Sequence, residues 1–309
     1  GDVYKRQVRN SHREKDFCYE CGQDDPFLVD KNVDAVQRLG HASFGRLEGT
    51  AEVVELFSEV IMEDRSALAR ASAATSLTQI GLKLPDYRCR PIPDDGTRFL
   101  ALMREVDALY ARQACDANAK RVAMDRIRQI GDLEFTSIDF RFYRQSLKFF
   151  YGRKFLVDES DPAVRQVIDT ALTKRLNGLI HVSLQAAVDD PVAQVRADAI
   201  RGLKTLGDAE AIEAVVMRLE YESSWLVSME AVEYLGKIGT REGVLALIRL
   251  LDDPNASVRH KARVSLGQLA GQDFGFRREN WERWAHSKDP TLEFEDADDD
   301  LGDAPAMLR

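Results

Sequence analysis

The chain has 309 residues, 44% hydrophobic and 31% charged, enough for one large core or a stack of small units. A net charge of −9 excludes a generally basic, DNA-coating protein, and four cysteines exclude a disulfide-stapled fold. No run approaches the roughly 18–20 apolar residues that span a bilayer.

Residues 1–7 read as a non-native leader, which leaves open a signal peptide or lipid anchor ahead of residue 8. Residues 8–49 form an irregular N-terminal segment. It holds one Cys-x-x-Cys, Cys18 and Cys21. Zinc needs four ligands, and Cys89 and Cys115 are distant and spaced unlike a second pair, so no metal is assigned. Thr50 predicts the cap of a helix carrying Val54, Phe57 and Ile61.

From there a spacing of 0, 4, 8 and 11 recurs. It runs Ala69, Ala73, Leu77, Ile80, then Ala119, Ala123, Ile127, Ile130. Val164, Ile168 and Leu172 keep its first three positions. Val195, Ala199, Leu203, Leu206 carry it in full, followed by Val227, Ala231, Leu235, Ile238 and Val258, Ala262, Leu266, Leu269. These offsets fall on one stripe of an α-helix. Gly81, Gly131, Gly207 and Gly239 follow the stripe and predict left-handed helix stops. A second stripe, Ile212, Val215, Val216, Leu219, repeats 32 residues later as Val244, Leu247, Ile248, Leu251. Each unit therefore reads as two amphipathic helices joined by a turn. Asp161-Pro162, Asp190-Pro191 and Asp253-Pro254 predict an N-cap carboxylate before a proline at the first helical position. Arg165, Arg196 and Arg259, each after an offset-0 valine, predict a ladder between repeats.

Two segments, 82–115 and 132–160, interrupt the period. The first has a proline-marked loop, then a helix from Asp94-Asp95-Gly96-Thr97 to about Arg112. The second places eight of the chain's 25 aromatics within residues 135–155, interleaved with Arg141, Arg144, Lys148, Arg153 and Lys154. It reads either as a recognition surface or as a helix pair with its rings buried and its bases in water. Trp281 and Trp284, at i and i+3, predict a cover for the open end of the last pair. Residues 288–309 are an acidic tail, with seven acids against Arg309 from residue 290 on, and the composition predicts disorder.

The pattern Asp-Pro-x-x-x-Val-Arg-x-x-Ala-x-x-x-Leu-x-x-Leu-Gly at 190–207, nearly repeated at 253–271, resembles a HEAT repeat of the bacterial, phycobilisome-lyase-like type. The resemblance covers most of 50–287 and implies an all-α fold, an α-α superhelix of about seven helix pairs. It implies a non-enzymatic scaffold that binds a protein or peptide on its concave face or on the 135–155 segment. Two other readings stay open: a lyase-like subunit acting on a pigment-bearing protein, and a HEAT-like nucleic-acid binder, which the charge balance disfavours. Iron-binding relatives use His-Glu pairs, and none of the five histidines is followed by Glu. No G-x-S-x-G, Walker or dinucleotide fingerprint is present, so no catalytic residue or cofactor is assigned. The expected partner-binding residues are Arg141, Tyr143, Arg144, Lys148, Tyr151 and Arg153, with Arg218, Trp225 and Arg249 on the repeats. The expected location is soluble, in cytoplasm or periplasm.

Overall fold

The computed structural model describes residues 47–85, 92–111, 117–135 and 140–288. The Cys-x-x-Cys, Cys89, Cys115 and the acidic tail from residue 289 on lie outside the described residues, and Lys288 ends the last helix. The described residues hold thirteen α-helices and one pair of short strands.

The first helix, α1 (Leu47–Glu63), already contains Thr50, the expected cap, within it. It leads through Ser66, whose hydroxyl accepts from the Ala69 amide, into α2 (Ala67–Gly81). Strand β1 (Ile92–Asp94) follows, then α3 (Thr97–Ala111), α4 (Ala117–Asp132) and strand β2 (Leu133–Phe135). The strands pair in parallel, with Ile92 opposite Leu133, an element outside the all-helical expectation. Asp94, buried at the end of β1, explains the start of α3: its two carboxylate oxygens accept the Arg98 and Phe99 amides at 3.1 and 2.9 Å. Gly96 sits at φ +92°, with the Phe142 ring filling the space a Cβ would need.

Helices α5 (Phe140–Gly152) and α6 (Lys154–Val157) lead to α7 (Pro162–Ala187). Asp161 caps α7 through the Ala163 amide, with Pro162 in the first turn, as the sequence predicts. However, α7 is one helix of 26 residues where the period predicts a pair with a turn. Its only interior break signal, Asn177-Gly178, stays helical because the Tyr143 ring packs on Gly178, 3.2 Å from where a Cβ would stand.

Then come α8 (Ala193–Leu206), α9 (Ile212–Leu219), α10 (Trp225–Ile238), α11 (Arg241–Arg249), a 3₁₀ turn (Leu250–Asp252), α12 (Ala256–Ala270) and α13 (Arg278–Lys288). Helices α2, α8, α10 and α12 pack side by side in one layer. The residues at offsets 0, 4 and 8 of all four are fully buried, which is the core of the stack. The chain is an all-α solenoid, but not one whose pairs all touch in sequence order: α2 packs on α8, while α4 and α5, which lie between them in the chain, pack against α7.

Glycine does two different jobs. Gly207, Gly239 and Gly271 end their helices in the left-handed conformation, at φ +70°, +67° and +75°. Gly81 and Gly131 instead remain inside α2 and α4, contrary to expectation. Both serve close approach: a Cβ on Gly131 would stand 2.8 Å from the Ala171 Cα of α7. The Asp-Pro expectation also holds only once. At 190 and 253 the caps are Val192 and Asn255, and each Asp accepts the cap's own amide two residues on. Trp281 closes the far end, fully buried, its ring edge-on to Phe274 and Trp284 and its indole N–H given to the Gly275 carbonyl at 2.8 Å.

Candidate functional site

Arg144 and Lys148 of α5 reach across to α1. Glu55, buried on α1, gathers Arg144 at 3.2 Å, Lys148 at 2.9 Å and the Tyr151 hydroxyl. Arg144 also pairs with Glu59. Arg153 pairs with Asp107 of α3 at 3.0 Å and lies over the Phe149 ring. Tyr143 is 4% exposed, wedged against Phe135 and beneath the Arg175 guanidinium, so its ring belongs to the core. The side chain of Arg141 is outside the described residues. The structure thus brings Arg144, Lys148 and Tyr151 together on one carboxylate and leaves Arg153 on another.

Arg218, Trp225 and Arg249 are not one cluster. Arg249 is exposed on α11 and makes no ion pair among the described residues. Arg218 is held by Glu222 at 3.0 Å. Trp225 opens α10 and is 57% exposed, four residues after Tyr221 at 77%.

Those two rings sit on an edge that the arginine ladder assembles. Arg70 donates to the carbonyls of Asp64 and Arg65 in its own turn and reaches Asp190 in the next with bonds of 2.6 and 2.9 Å. Arg196 repeats the device: it donates to the carbonyls of Asp190 and Pro191 and grips Glu222 through two bonds of 2.7 Å. Burial pushes the Glu222 carboxyl up, but hydrogen bonds from Arg196, the Ser224 amide and Arg218 outweigh it and hold the group below its usual range. The turns at 64–66, 190–192 and 220–224 are therefore strapped in series. Exposed on or beside them are Met62, Leu68, Val192, Met217, Tyr221 and Trp225, six of the nine exposed large hydrophobics among the described residues. In α10 the ladder position is Ser228, too short to reach Asp253, and the ladder stops there.

At the opposite ends of α2 and α8, a cleft of about 500 Å³ opens between α2, α4, β2, α7 and the turn into α9. His181 on its wall meets Asp208 at 2.7 Å, and Asp208 also accepts from Gln185 at 3.2 Å. Burial pushes the Asp208 carboxyl up, and these bonds, with the Glu210 amide, bring it below the usual range. Tyr234 of α10 fixes the same turn by donating to the Asp208 carbonyl at 2.7 Å. Sequence reasoning passed over this cleft, because its residues come from elements far apart in the chain, and those it named, Gly81, Gly131, Tyr143, Leu206 and Gly207, it read singly as helix stops, stripe or partner contact. The signal available was Asp208 directly after the helix stop Gly207.

Residues 180–267 match the family model described as HEAT repeats. The match covers less than a third of the chain, the part that holds α8 to α12. No curated protein matches the chain. Among solved structures, one engineered protein from the Northeast Structural Genomics Consortium is 14% identical, with 87% of this chain and 97% of that chain covered and a TM-score of 0.29. A second from the same consortium is 15% identical, covering 92% and 78% at a TM-score of 0.28. A designed armadillo repeat protein is 15% identical, covering 86% and 99% at a TM-score of 0.26. No helix among the described residues is long and apolar enough to cross a membrane.

Proposed function

We propose that this HEAT-repeat chain is a non-enzymatic scaffold that holds a protein or peptide partner along the edge bearing Tyr221 and Trp225. The observation that carries the reading is the concentration of exposed apolar side chains on three turns that buried arginines lock together. Large contiguous apolar surface on a folded chain marks a contact site, and Trp, Tyr and Arg dominate binding energy where they occur. Arg218 is positioned by Glu222 beside these rings in the chain, so the anchor set is rigid before any partner arrives. The α5 bases contribute less to this reading, since they are matched by Glu55, Glu59 and Asp107.

The test is site-specific photo-crosslinking in native extract, with the photoreactive group at position 221, 225 or 249. The reading expects one protein species crosslinked from 221 and 225, abolished by Trp225→Ser in the 221-labelled chain and untouched by Glu242→Ser. Crosslinks from 249 alone, or a species indifferent to Trp225→Ser, would contradict it.

A further inference from the structure

The cleft below α2 and α8 carries an imbalance that the edge does not explain. Two of its basic side chains are already engaged: Lys174 with Asp132 at 2.5 Å, and His181 with Asp208 at 2.7 Å. Glu134 from β2 and Glu210 from the turn before α9 line the same cleft, and neither has an ion pair among the described residues. Arg175, 2% exposed on the wall, gives Nε to the Ser146 hydroxyl at 3.1 Å and Nη1 to the Leu133 carbonyl. Its buried Nη2 has no acceptor. Leu82, 53% exposed, lines the cleft together with Leu84, Val182 and Leu206.

A ligand that matches this surface brings a cation for the carboxylates and an aliphatic stem for the leucines. We propose that the cleft is a pocket for a lysine or arginine residue of a peptide segment, its charged head between Glu134 and Glu210 and its stem along Leu82 and Leu84. A free diamine brings a second charge against the leucines, where nothing matches it. An anionic polymer or lipid headgroup meets two carboxylates and is repelled. Burial holds the Glu134 carboxyl above its ordinary range, with the Glu210 charge adding and Arg175 partly opposing, which is the state an incoming cation relieves. This pocket lies apart from the Tyr221–Trp225 edge, so its failure leaves that reading standing.

The experiment uses the full chain and capped tripeptides with Lys, Arg, Gln or Glu between two alanines, with putrescine as a further probe. Nuclear magnetic resonance follows the His181 ring and the Glu134 carboxyl carbon. The Lys and Arg peptides are expected to shift the His181 signals saturably in the millimolar range and to lower the Glu134 pKa. Glu134→Gln with Glu210→Gln should weaken the response about tenfold or more. Leu82→Lys, placed at an exposed position, should compete and weaken it as well. Unchanged melting of each variant shows that the fold is intact. Equal shifts with the Gln peptide, no shifts with any peptide, or putrescine binding as tightly as the Lys peptide would overturn the proposal.

Discussion

Arg196 of α8 and Glu222 of the following turn face each other through two parallel hydrogen bonds of 2.7 Å, with both side chains almost fully out of solvent. A third arm of the same guanidinium, Nη1, closes its own turn through Asp190 and Pro191. One side chain thus fixes two turns at once, and removing it leaves a buried carboxylate facing fewer donors. Arg196→Ala should lower unfolding free energy by about 3–5 kcal/mol. Arg196→Lys should recover only part of this, since an ammonium cannot repeat the planar fork. Urea denaturation of the three chains checks it; equal midpoints for Arg196→Ala and the parent would refute the ladder.

The ladder also sets acid sensitivity. Glu222 is held below its usual range, and Lys204 and Lys261 bring Glu233 down to about 2. A carboxylate with a depressed folded value stabilises fully above its unfolded value of roughly 4.3, and that stabilisation is lost as pH falls through the folded value. The urea midpoint should therefore drop between about pH 4 and 2. Glu233→Gln should flatten that limb while leaving the curve above pH 6 parallel to the parent's, about a unit or more clear of the carboxylate range. A limb unchanged by the substitution would show that Glu233 gains nothing from its two lysines.

Three glycines separate shape from conformation. Gly207 at φ +70° should lose about 1 kcal/mol on substitution by Ala, from backbone strain. Gly131→Ala should cost more, roughly 1–3 kcal/mol, because the new methyl meets the α7 backbone at Ala171. Gly152 has nothing within 4 Å of an added Cβ, and Gly152→Ala should stabilise by roughly 0.4–1 kcal/mol. Calorimetric melting of the set tests the order; a Gly131→Ala melt equal to the parent's would mean that α4 and α7 are farther apart.

Glu55 is the junction of α1 and α5. Glu55→Ala leaves Arg144 with Glu59 alone, returns the half-exposed Lys148 to water and frees the Tyr151 hydroxyl, and should destabilise by about 1–2 kcal/mol. Glu55→Gln should fall between. Loss of hydrogen-exchange protection should appear in α5 before α10, and a uniform loss would contradict the local junction.

The stripe was readable because burial in a helical stack repeats with the turn: every offset-0, 4 and 8 residue of α2, α8, α10 and α12 is buried. Trp281 was readable for a related reason, a large amphipathic ring at the end of an array. What the period could not reveal was which neighbour a helix meets. Gly131 looks like Gly207 in sequence, yet one packs on Ala171 and the other turns left-handed. Asp190 looks like a cap, yet its carboxylate also answers Arg70, 120 residues away. The aromatic run at 135–155 shows the same limit: Tyr143 and Tyr151 look alike in a basic stretch, but α7 covers the first and Glu55 holds the second. The cleft lay beyond reach because Glu134, Arg175, His181 and Asp208 come together only after β2, α7 and the α8–α9 turn have docked.

Stacking of α2 directly on α8, with the intervening segment set aside, governs both the edge and the cleft. Native-state hydrogen exchange of Leu203→Ala measures it most directly. The substitution removes a fully buried side chain from α8 at a cost of about 2–5 kcal/mol. Protection should fall in residues 67–81 as well as 225–238, the helices on its two sides. Protection lost in 193–206 and 225–238 but unchanged in 67–81 would contradict the stack.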